Sequence, residues 1–116
     1  MAIIEHTTIA TPSVVDRQEG RTLVSGADGA ASLTIKEVTL HPGYEGRLHT
    51  HDVDIAIMVM SGAVQIVDDE DVRTVRAGCT LLAPPGRPHK LINTLWTPVQ
   101  LLVTYPSNHW ETSYLE

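Results

Sequence analysis

Short apolar runs, each closed by a turn signal, recur from Arg21 to the C-terminal end of the chain. In Ala31–Leu40, Leu33 and Ile35 fall on one face and Thr34 and Lys36 on the other. That alternation predicts a strand. Strands are likewise predicted over Arg21–Ser25, Arg47–His51, Val53–Met60, Ala63–Val67, Val72–Val75, Cys79–Ala83, Pro88–Asn93 and Val99–Tyr105, with a last edge strand over Trp110–Leu115. Between them lie Gly26-Ala27-Asp28-Gly29, His41-Pro42-Gly43, Arg76-Ala77-Gly78 and Pro84-Pro85-Gly86, where Gly permits a sharp turn and Pro cannot donate to a ladder. Ser61-Gly62 reads as the tight turn of a hairpin whose return strand is Ala63–Val67, and Asp68-Asp69-Glu70-Asp71 as a solvated hairpin tip. Residues 1–20 read as an extended arm with one short strand and a turn of helix near Ser13–Gln18. No helical periodicity of useful length appears, so the class is all-β, a sandwich or barrel.

Composition narrows this picture. A chain of 116 residues suits one domain with one core. The barrel core is placed at about residues 21–105, between an N-terminal arm (1–20) and a C-terminal tail (106–116). Phe is absent, so the core rests on Val, Ile, Leu and Ala, and the β-branched residues among them favour strands. No apolar run approaches the roughly 20 residues of a membrane-spanning helix. The N-terminus lacks the basic and apolar regions of a signal peptide, so a cytoplasmic location is expected. The net charge of −6, with eight scattered Lys and Arg, argues against nucleic acid or anionic membrane as partner. The single Cys79 reads as a small buried hydrophobe on a strand.

Candidate chemistry begins at His49 and His51. On a strand, residues two apart point to one face, so the two imidazoles project side by side and can share a metal ion. A second stretch reads Gly78, five residues, Pro84, one residue, Gly86, two residues, His89, three residues, Asn93. With Gly43, His49, His51 and Gly62 of the first stretch, it resembles the two motifs of the cupin superfamily, over about residues 31–105. The resemblance implies a small jelly-roll barrel (a double-stranded β-helix), commonly a homodimer. It also implies that His49, His51 and His89 converge on one divalent metal. Three imidazoles suit Fe, Ni, Mn, Zn or Cu and leave positions open for a substrate.

One position departs from the family. A glutamate is expected after three or four residues beyond the second histidine, and Ile55 (or Ala56 in the longer spacing) stands there. Strand parity puts Ile55 on the face of His49 and His51, while Asp52 and Asp54 face solvent. Without an anionic ligand a divalent metal keeps its full charge, which favours an anionic, chelating substrate. Arg47 shares the parity of His49 and is a candidate to pair with a substrate carboxylate. Gln65 faces either the cavity or solvent. Trp96 and Trp110 read as packing or interface anchors. The leading expectation is a mononuclear metalloenzyme acting on a small organic molecule, by dioxygenase-like chemistry or as a Lewis-acid lyase, isomerase or cyclase. The alternative is a metal-free barrel that binds a small ligand without turnover.

Overall fold

The computed structural model describes residues 1–69 and 71–116. Among them, ten strands form two antiparallel five-stranded sheets. The strands are β1 (Gln18–Val24), β2 (Thr34–Leu40), β3 (His49–His51), β4 (Ile55–Ser61), β5 (Ala63–Asp68), β6 (Asp71–Arg76), β7 (Thr80–Ala83), β8 (His89–Ile92), β9 (Val99–Tyr105) and β10 (Thr112–Tyr114). One sheet runs β1-β2-β9-β4-β7 and the other β10-β3-β8-β5-β6. The architecture is the jelly-roll barrel the resemblance implied.

Period-two alternation fixes which side chains face inward. Ile55, Ile57 and Val59 on β4 meet Val99, Leu101 and Val103 on β9, and all six are buried. Val64 on β5 and Leu40 on β2 close the same core. Burying a Val, Leu or Ile side chain contributes about 1.5–3 kcal/mol. Leu40, Ile55, Ile57, Leu101 and Val103 of this core also form part of a cavity wall. The rest of that wall carries histidines, tyrosines and a lysine.

Several expectations need correction. Ser61-Gly62 does not turn a hairpin: β4 lies in one sheet and β5 in the other, so the chain changes layer there. Gly62 has φ +80, and a Cβ on it would stand 2.7 Å from the Pro98 carbonyl oxygen. The glycine therefore permits a close backbone crossing as well as a left-handed turn. Consequently Gln65 is not beside the histidine strand His49–His51; β5 pairs with β6 and β8. No helix forms near Ser13–Gln18. Val15 and Gln18 bridge each other across Asp16 and Arg17, both at positive φ, so this is a two-residue β-turn leading into β1. Asp68 pairs with Asp71 in the predicted hairpin, but Asp68 is tied to Arg87 rather than simply solvated, and Glu70 lies outside the described residues. Cys79 is exposed in the turn before β7, not buried on a strand. Strand β9 falls on its predicted bounds.

Candidate metal centre

Local chain geometry delivers the three histidines to one point. His49 and His51 sit two apart on β3, and His89 opens β8 directly opposite His49 in the ladder. Their ring centroids are 4.7 Å (His49–His51), 4.5 Å (His49–His89) and 5.5 Å (His51–His89) apart. One ligand nitrogen from each lies within 4.8 Å of the other two. Backbone bonds from Gly43, Gly86 and Asn93 pin these segments together. The Gly86 N–H donates to the His51 carbonyl at 2.8 Å, the Gly43 N–H to Asn93 at 2.8 Å, and the Asn93 N–H to Tyr44 at 2.9 Å. The Asn93 side chain, fully buried, donates to the carbonyls of Leu40 and Thr97. Three motif positions that carry no ligand thus hold the segments next to the ligand strands.

Each imidazole also has one nitrogen already engaged. His49 Nδ1 lies 2.6 Å from the Arg47 carbonyl and His89 Nδ1 2.9 Å from the Arg87 carbonyl. Carbonyls only accept, so both rings carry their proton on Nδ1 and present an Nε2 lone pair. His51 Nδ1 is 3.0 Å from the Thr112 hydroxyl, a partner contributed by the C-terminal edge strand. Burial, then the nearby His49 and His89, push the His51 pKa down to about 4, outweighing the opposing pull of Asp52. Burial lowers that of His89 as well, against its bond to the Arg87 carbonyl. Three imidazoles with their outer nitrogens held by protein groups are a donor set that fits a transition metal.

The histidines line a cavity of about 780 Å³. Ile55, 2% exposed, faces into it with Ile57. Its inward position does not come from strand parity with His51, since Asp52–Asp54 separate β3 from β4 and the two strands belong to different sheets. Asp52 and Asp54 are both exposed. Arg47 lines the rim, but its guanidinium donates to the Glu116 carbonyl (2.7 and 3.2 Å) and lies 4.1 Å from the Tyr114 ring. Gln65 is not part of the cavity wall; its Oε1 accepts from the Thr94 hydroxyl on the outer face.

Sequence reasoning missed four further wall residues. Tyr105 and Trp110 stack at 3.8 Å with planes 8° apart, and the His51 ring centroid is 6.2 Å from that of Tyr105. Trp110 is therefore part of the cavity wall, while Trp96 stands almost fully exposed. Thr112 and Lys36 line it too. Thr112 and Trp110 gave no signal because the tail's pairing with β3 is a long-range event. Lys36 was visible as one face of an alternating strand, but the inner face proved to be the polar one, that of Thr34 and Lys36.

The Cupin domain family matches residues 36–105 of this chain, more than half of its length. The chain is a cupin. No curated protein matches it in sequence. Among solved structures, this cupin is similar to the polyketide cyclase RemF from Streptomyces resistomycificus (TM-score 0.87, 20% identity, covering 100% of this chain and 86% of that one). It is similar to a cupin-superfamily sugar phosphate isomerase from Silicibacter pomeroyi (TM-score 0.79, 23% identity, 99% and 82%). A third is the oxalate decarboxylase of Bacillus subtilis, described with Mn(II) centres (TM-score 0.74, 19% identity, 91% and 30%). At these identities the likeness speaks for the fold. With the histidine cluster, it describes a metal-binding cupin.

Proposed function

We propose that this cupin is a small mononuclear metalloenzyme that polarises an oxygen-bearing organic molecule. His49, His51 and His89 would hold a divalent transition metal through Nε2. The carrying observations are that all three Nδ1 atoms are engaged with protein groups and that one ligand nitrogen of each ring lies within 4.8 Å of the other two. A metal held there supplies Lewis-acid polarisation of a carbonyl or carboxylate or, if it is iron, dioxygen chemistry. The remaining work belongs to the chain. Ile55 and Ile57 keep one side of the site dry, which strengthens electrostatic interactions within it. The Tyr105–Trp110 stack offers a flat wall for a planar substrate.

Lewis-acid cyclase or isomerase chemistry is the favoured form, because no carboxylate stands among the three ligand groups to offset the metal's charge. The cyclase and isomerase neighbours agree with it. Protein reconstituted with zinc, nickel or manganese should catalyse deuterium uptake at C3 of pyruvate in D2O, read by proton NMR, and His51→Ala should abolish it. Uptake no faster than with metal-free protein would contradict the reading and favour a binding barrel without turnover, the role Ile55 would suit. A homodimer is expected to form through the outer face of β4 and β7, where Met58 and Leu82 are 40% and 69% exposed. Leu82→Glu should then give a monomer in sedimentation equilibrium.

A further inference from the structure

Among the described residues, the cavity holds one ammonium without an ion-pair partner. Lys36 points inward from β2, flanked along its strand by Thr34 and Val38, and lines the same space as the histidines. Among the described residues it makes no ion pair: Glu37 is taken by Arg21 and Glu19 by His41. Its nearest company is aromatic: Nζ lies over the Tyr105–Trp110 stack, 5.3 Å from the Trp110 centroid and 5.8 Å from the Tyr105 centroid. Rings at this range attract a cation but carry no net charge to cancel it, so the ammonium is still free to pair with an anion.

We propose that Lys36 is the anion anchor of the site and sets its substrate class: a small planar molecule with a carboxylate or enolate. That group would pair with Nζ while another oxygen faces the histidines. The proposal rests on the reading of the cavity as a substrate site. Tyr105 joins the two ends, 6.2 Å from the His51 centroid and 5.8 Å from Lys36 Nζ. An aromatic ring lying along that wall would bridge them. Arg47, the other cation considered for this role, is already committed to Glu116 and Tyr114. A charge-assisted hydrogen bond in a partly desolvated cavity discriminates strongly between an anion and its neutral isostere.

The test compares salicylate with neutral salicylamide by isothermal titration calorimetry, on metal-free and zinc-reconstituted protein. Wild type, Lys36→Met and Lys36→Arg are used, with zinc content measured on every sample. Salicylate binding should weaken about tenfold or more in Lys36→Met and recover in Lys36→Arg, while salicylamide binding stays unchanged. Zinc content should be equal in all three proteins. If Lys36→Met binds salicylate as wild type does, or loses both compounds equally, the anchor assignment is overturned. The same holds if wild type shows no preference for salicylate. Failure of zinc to bind wild type would count against the metalloenzyme reading alone, because the anchor is read independently on metal-free protein.

Discussion

Each imidazole of the centre spends one nitrogen on the protein and offers the other. For His49 and His89 the partner is a backbone carbonyl two residues back, a bond that no substitution of Arg47 or Arg87 removes. For His51 it is a side chain, the Thr112 hydroxyl, and so it can be tested. Thr112→Val keeps the shape and removes the hydroxyl. Metal affinity should fall about 10-fold or more, in the range typical of lost outer partners of metal ligands, and Thr112→Ser should restore it. Competition against a chromophoric chelator measures both. Ile55 makes the opposite experiment possible. Ile55→Glu puts a carboxylate at a buried position on the cavity wall. Metal binding should tighten by about tenfold or more, while the metal-free variant melts at lower temperature because an unpaired buried charge is costly. Unchanged affinity in the same chelator competition would mean that position 55 stands apart from the metal.

At the scale of elements, what was legible in the sequence was local. Period-two runs located most strands, and β9 was placed on its bounds because Val99–Tyr105 is apolar and bracketed by prolines. The histidines were legible because their spacing within β3 and the Gly86-to-His89 loop are short-range features. Sheet assignment was not. Ser61-Gly62 carries a hairpin's residues yet switches layers, since β4 pairs with β7 and β9 in one sheet and β5 with β6 and β8 in the other. The C-terminal strand β10 could be predicted as an edge, but not that it pairs with β3 and brings Thr112, Trp110 and Tyr114 to the cavity. The layer switch has a price of its own in sequence freedom. Gly62→Ala forces a Cβ against the Pro98 carbonyl at positive φ and should destabilise the fold by about 1–3 kcal/mol in urea denaturation. An unchanged midpoint would show that the crossing has slack.

The whole molecule responds to pH through the same cluster. In metal-free protein the His51 pKa is lowered to about 4 and that of His89 is also depressed, so the unfolded chain binds more protons than the folded one below about pH 6.5. Stability should therefore be complete above that pH and be lost as pH falls through it toward the folded value near 4. Metal opposes this, because protons and metal compete for the same nitrogens. The midpoint of thermal unfolding should drop between pH 6.5 and 4 in metal-free protein and drop less in zinc-loaded protein. In His51→Ala the metal-free drop should shrink. A metal-free protein whose melting is flat over this interval would contradict the lowered pKa values of His51 and His89.

The central claim is that three histidines of a carboxylate-free site hold one metal ion. The most direct measurement is elemental analysis of protein purified without an affinity tag, beside His49→Ala, His51→Ala and His89→Ala, each checked for folding by circular dichroism. The account predicts close to one transition-metal ion per chain in the wild type and its loss in every folded variant. Wild-type protein that stays metal-free after reconstitution, or a folded variant that keeps its full metal content, would contradict it.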